Sequence, residues 1–244
     1  RCYKMRVSLE LKKVKRTGFL PTFLCGGILA ASFPVINMAA RTEIYLTQQG
    51  SPLQILFNAN WQIIAMLNVL LVITGTCILY NTEYASNAMQ KIKSLPTRAG
   101  SVFLSKVILT IFMCILILTI EAVAVTFCSY YWFETGNGFL IGLCKNFGYE
   151  LLLMLPCITI SLLISEACKN IWISLGIGVI CVFTATMLPS DNFNLSLFPF
   201  AMPFQIFTDT NIEQVIRYIC TAVAEFVVIC LSELVFIKIR REFE

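Results

Sequence analysis

The strongest constraint on this chain is a series of apolar runs about twenty residues long with almost no charge inside them. A bilayer's hydrocarbon core asks for that length of uninterrupted apolar helix, because a spanning segment must satisfy every backbone group internally. Apolar residues make up 58% of the 244-residue sequence and charged residues 13%, with a mean hydropathy of +0.80. A soluble domain of this size carries about twice that share of charge. The sequence therefore predicts an all-α integral membrane protein rather than a soluble protein with a large core. Six spans are expected, at about 19–39, 61–80, 102–127, 139–166, 171–188 and 213–237. Together they make one transmembrane domain, 19–244, behind a short arm, 1–18.

The arm is basic, with Arg1, Lys4, Arg6, Lys12, Lys13, Lys15 and Arg16. Tyr3, Val7, Leu11 and Val14 fall on one helical face with lysines opposite, which suits an amphipathic helix lying on the inner membrane surface. The alternation of Met5, Val7, Leu9 and Leu11 also fits a strand. The first apolar run has no small-residue cleavage site and reads as a retained span rather than a signal peptide. In it, Gly27 and Ala31 form a small-xxx-small pair suited to close helix approach, and Pro34 is placed to kink the outer end.

Residues 40–60 read as a polar connection, followed by a span bounded by Trp61 and Tyr80 as an aromatic belt. The third span leads into an aromatic loop, Tyr130 to Trp132. The fourth begins at Phe139, or nearer Gly148 if Lys145 lies at the water interface. Residues 189–212 are apolar but broken by Pro189, Pro199 and Pro203. Irregular backbone at membrane depth persists only when packed against protein or lining a cavity, so an outer re-entrant hairpin is expected, with a lipid-facing interfacial loop as the alternative. With the N-terminus inside, 15 of the 18 basic residues fall in cytoplasmic segments. That bias sets both termini in the cytoplasm of a multi-pass plasma-membrane protein, and it accounts for the net charge without a nucleic-acid partner.

Catalytic classes fall away by composition. Histidine is absent, which removes serine-triad and Cys-His chemistry and HExxH zinc sites. No Walker-type phosphate loop is present; Gly138 and Gly142 form a GxxxG pair that reads as helix packing. Eleven cysteines include no C-x-x-C, and most lie inside apolar runs, where they behave as small hydrophobes. Asn194-Leu195-Ser196 matches a glycosylation sequon and is meaningless in a bacterium. No catalytic, metal or cofactor residue is therefore assigned.

The chemistry that remains is intramembrane and juxtamembrane. Glu225 lies about 18 Å along the sixth span from its outer end at 1.5 Å per residue, Glu121 lies in the outer part of the third span, and Glu150 is deep if the fourth span starts early. Such carboxyls are costly at depth and face a bundle interior or a wet cavity. They read either as a polar lining for a cationic or amphipathic substrate or as structural partners of neighbouring helices. Glu166 with Lys169, and Glu213 with Arg217, have the spacing of interfacial ion pairs. Residues 81–101 form the longest charged internal stretch. A short helix from Glu83 to about Ile92, ended by Pro96 and Gly100, would be anchored to a span at each end and able to pass force from a soluble partner to both.

The segment EYASNAMQKIKSLPTRAGSVFLSK resembles the region after the second span of ABC-2-type exporter permeases, which runs Glu-Tyr, a short helix, Leu-Pro, a basic residue and Ser-Lys. Glu83, Tyr84, Leu95, Pro96, Arg98, Ser105 and Lys106 fill those places. The basic arm, the spans and the proline-broken outer segment extend the resemblance over most of the chain. The compact size is most similar to lantibiotic-immunity and bacitracin-resistance permeases of Gram-positive bacteria. Polar Ser86 to Gln90 departs from the glycine-containing stretch of many relatives.

This resemblance implies a permease that binds no cofactor itself. It pairs with a second permease chain, identical or related, and with cytoplasmic ABC ATPase subunits that hold ATP and Mg. Glu83, Tyr84, Lys91, Lys93, Leu95, Pro96 and Arg98 would belong to the ATPase-coupling helix. Gly27, Ala31, Ser174 and Gly178 would line the permease dimer interface. Glu121, Glu150, Glu225, Phe200 and Phe204 would border the route of an amphipathic substrate such as an antimicrobial peptide. The rivals are an ion-coupled secondary transporter, which lacks support from any internal repeat, and a non-transport membrane scaffold or signalling subunit.

Overall fold

The computed structural model describes residue 14 and residues 17–85, 99–133, 136, 138–168, 170–188, 193–208 and 210–243, with backbone alone at 85, 99 and 236–243. The amphipathic arm, save Val14, and most of the expected coupling segment lie outside the described residues. So do Lys169 and Pro189.

Helix α1 (Phe19–Ala40) begins after Gly18, whose φ of 72° is left-handed, and ends where Arg41 leaves helical geometry. A short α2 (Thr42–Leu46) follows. Helix α3 (Pro52–Ala85) opens on proline, the residue best suited to a first helical turn because its missing N–H has no partner there. It starts nine residues before the expected span. Arg41, Glu43, Gly50 and Pro52 mark 40–60 as a polar connection in the sequence, yet Leu53, Ile55, Leu56 and Phe57 are buried in one cluster with α5 residues Leu143 and Phe147. Trp61 is not an interfacial belt residue either. It is 1% exposed, edge-on to Phe57 at 4.9 Å, and Tyr80 is equally buried.

Helix α4 (Ala99–Trp132) outruns its expected span at both ends. The aromatic run expected as a loop stays helical, with Phe127 and Tyr131 stacked one turn apart at 5.7 Å. Helix α5 (Phe139–Ala167) takes the early of its two expected starts, directly after Gly138 at φ 103°. Lys145 is accordingly an exposed residue within the helix. Helix α6 (Ile171–Met187) is capped by Asn170, whose side-chain oxygen accepts from Trp172 N–H at 3.0 Å. A four-residue α7 (Phe193–Ser196), a 3-10 turn (Met202–Phe204) and α8 (Ile212–Phe243) complete the order. No strand occurs among the described residues.

Five of these helices are long and apolar enough to cross a membrane: Phe19–Ala40, Pro52–Tyr84, Gly100–Trp132, Phe139–Ala167 and Ile212–Val235. Helix α6 is apolar but has 17 residues, the lower end of the range that spans adopt. Helix α3 is the hub and packs against α1, α4, α5 and α6, while α5 also carries α8. Close approach at α6 depends on Gly178, where an added Cβ would fall 2.4 Å from Ile73 Cγ2.

The proline-broken stretch is folded onto the bundle. Phe200, Ala201, Met202 and Pro203 are buried, and the 3-10 turn packs on α3 and α5. Two side-chain contacts fasten it: Ser196 Oγ with the Tyr218 hydroxyl at 2.6 Å, and Thr208 Oγ1 donating to Asn146 Oδ1 at 2.9 Å.

Candidate functional site

Among the described residues, buried carboxyls meet hydrogen-bonding partners from neighbouring helices at two places inside this apolar bundle. The first is at the end of α3 and the start of α4, flanking residues 86–98. Residues 80, 83 and 84 share one face of α3 through the i, i+3, i+4 relation. Lys106 lies about two turns into α4. Its Nζ is 2.6 Å from Glu83 Oε2, with side-chain exposures of 2% and 5%. The same Nζ stands 3.4 Å from the centroid of the Tyr80 ring. The Tyr80 hydroxyl in turn donates to Glu166 Oε2 at 2.6 Å, and the Tyr84 hydroxyl donates to the Glu166 carbonyl. Ser105 donates to its own helix at Ser101, 2.8 Å away.

Three helices are thus tied by one ionic and aromatic network. A buried ion pair is worth little against an apolar replacement of equal size, but losing one partner leaves an uncompensated charge. The cation over the Tyr80 face adds a further electrostatic contact. Three places of the expected motif, 83, 84 and 106, meet here: Glu83 is buried against Lys106, and half-buried Tyr84 turns its hydroxyl to α5. Lys91, Lys93, Leu95, Pro96 and Arg98 lie outside the described residues.

The second grouping is deeper. Glu121 on α4 and Glu150 on α5 each stand eleven residues from the end of their helix at Trp132 and Phe139, about 16 Å at 1.5 Å per residue. Asn68 on α3 bridges them. Its Nδ2 donates to Glu121 Oε2 at 3.1 Å and to Glu150 Oε1 at 2.8 Å. All three side chains are fully buried. Asn68 carried no signal of its own in the sequence beyond being a polar residue within an apolar span. What selects it is that α3 faces α4 and α5 together.

The remaining expected route residues are scattered. Phe200 is buried and Phe204 half-buried in the segment before α8. Glu225 is half-buried on α8, and its Oε2 has no hydrogen-bond partner. Glu213 and Arg217 do pair, at 2.8 Å, but both are exposed, so the pair adds little stability.

The four small residues expected at a dimer interface have partners within the chain. Gly27 lies against Ile117, and Ala31 is buried. Ser174 donates to Ser165 Oγ at 3.2 Å, beside Cys77 and Thr76, and Gly178 lies against Ile73. Small side chains let α1 and α6 approach their own neighbours within the chain.

A family model described as ABC-2 family transporter protein matches residues 6–185, most of the chain. The match takes in both polar groupings and stops before α7 and α8. No curated protein sequence matches the chain.

Proposed function

The chain belongs to the ABC-2 transporter family, the membrane component of an ABC transporter, and we propose that it is the permease of an exporter driven by separate cytoplasmic ATPase subunits. In this reading α6 crosses the bilayer as the sixth span, both termini face the cytoplasm, and the segment before α8 is re-entrant at the outer face. The substrate is amphipathic, with an antimicrobial peptide of the lantibiotic type as the first candidate, and the host membrane is that of a Gram-positive bacterium.

The observation that carries the mechanism is the Glu83–Lys106 pair. Residues 86–98, with Lys91, Lys93, Leu95, Pro96 and Arg98, would meet the ATPase. Glu83 precedes that segment by one helical turn and Lys106 follows it by about two, and the two side chains form one buried ion pair. A push on the segment would therefore reach α3 and α4 as one body, and α5 through Tyr80 and Glu166. Glu83 and Tyr84 act in this scheme as transmitters rather than as docking surface. Glu121, Glu150 and Glu225 would lie along the path opened when α3, α4 and α5 move. A second permease chain would meet the outward faces of α1 and α6, where Ile28, Ile180 and Phe183 are exposed.

Coupling is tested by reversing charge at Lys91 and Lys93 to Glu, or replacing Leu95 with Asp. Membrane insertion should be unchanged while substrate-stimulated ATPase turnover is lost. Turnover equal to the unaltered protein would remove the segment from the ATPase contact. An ATPase subunit should also follow the tagged chain from native membranes.

A further inference from the structure

Glu121, Asn68 and Glu150 form a cluster with more acceptors than donors. Among the described residues, its hydrogen-bond donors are the two N–H of the Asn68 amide, and each is given to a different carboxyl. Glu121 Oε1 and Glu150 Oε2 are buried without a hydrogen-bond partner. Independently of the acids, Asn68 Oδ1 is also buried and lacks a donor. Four cations have described side chains. Lys106 is engaged by Glu83, and Arg41, Lys145 and Arg217 are exposed. None neutralises the pair. The bridging amide holds the two carboxyls within about 6 Å of each other, where like charges in a low-dielectric interior repel strongly.

The other titratable groups around the pair supply no charge to offset it. Cys114 on α4 and Cys157 on α5 are fully buried thiols, and Cys114 lies within electrostatic reach of both carboxyls. Tyr149 beside Glu150 faces Tyr218 of α8, while Cys181 of α6 lies near Cys157. A calcium ion takes about six to eight oxygens, and the cluster leaves three unpartnered. A proton needs two, removes one charge and supplies the missing donor.

We propose that Glu121 and Glu150, bridged by Asn68, form an intramembrane proton-binding site that holds one shared proton. The proton sits on one carboxyl and is donated to the other or to Asn68 Oδ1. The site is a place where the chain takes up and releases a proton when α3, α4 and α5 separate. It stands independently of the transport reading, since proton binding can be observed without substrate or ATPase.

The test is infrared difference spectroscopy of the full chain in lipid nanodiscs across a pH titration. One carboxylic-acid C=O band should be present at neutral pH and vanish at alkaline pH. Because a single proton is shared, either E121Q or E150Q alone should abolish the whole band, since the new amide supplies the donor to the remaining carboxylate. The band should survive in E43Q, which alters an exposed carboxyl of α2 and controls for general perturbation, and should not change when sodium replaces choline at fixed pH. Absence of the band at neutral pH, half its amplitude in each single variant, or its loss on adding sodium would overturn the proposal. If a Gln variant does not keep the elution profile of the unaltered protein, E121D and E150D replace it: the band should shift in frequency in either, and a band unmoved in both would overturn the proposal.

Discussion

At the scale of single residues, the inner network concentrates the largest expected effects. Lys106→Met would remove the cation that stands 2.6 Å from Glu83, and breaking one side of a buried pair costs about 3–5 kcal/mol. A large drop in the melting temperature of the purified protein in detergent is expected. Adding Glu83→Gln should restore most of it, because the double variant removes both charges of the pair. Equal melting temperatures for the single and double variants would separate Glu83 from Lys106. Gly178 gives the steric counterpart. Gly178→Ala places a methyl where Ile73 Cγ2 already lies, 2.4 Å from the built position, and overpacking of this kind costs about 1–3 kcal/mol. Ile73→Ala in that background should cost far less than Ile73→Ala alone, a coupling that thermal unfolding of the four proteins measures.

The helices themselves show why boundaries moved relative to the sequence reading. A polar residue ends a span in a hydropathy profile, whereas in a bundle it ends nothing if its neighbours on the other face are buried. Asn60 illustrates this: its Nδ2 donates back to Leu56 and its Oδ1 accepts from Asn37 of α1 at 2.8 Å. Helix α6, the shortest of the apolar helices, depends most on its ends. Asn170→Ala removes the acceptor for Trp172 N–H, a loss of about 1 kcal/mol for an N-cap. Hydrogen exchange should quicken in the first turn of α6 and stay unchanged in α5. Tyr218→Phe tests the outer segment in the same way, since it leaves Ser196 Oγ without the contact that pins α7 to α8.

For the molecule as a whole, the crossing of α4 fixes a sidedness. Labels placed at 134–137 and within 86–98 lie beyond opposite ends of α4. With the cytoplasmic termini proposed above, a membrane-impermeant reagent should reach an engineered cysteine at 135 in intact cells and fail to reach one at 90 until the membrane is opened. Reaction at both without permeabilisation would contradict a spanning α4.

Apolar run length and charge placement were legible without coordinates, because the bilayer acts on each segment separately: a stretch of twenty apolar residues is a span whatever its neighbours are. All-helical architecture, the approximate position of each long helix and the family all follow from that local rule and from the Glu-Tyr to Ser-Lys segment. Tertiary structure decided which face each residue presents. Glu83, read as the start of a coupling helix, and Lys106, read as opening the next span, meet each other; Gly27 and Gly178 lie against Ile117 and Ile73; Trp61 and Tyr80 lie in the core. Asn68 acquires its place only because α3 lies against α4 and α5 together. Such pairings depend on which helices become neighbours and how each is rotated about its axis, and that is set by summed packing over many side chains rather than by the residues of any one helix.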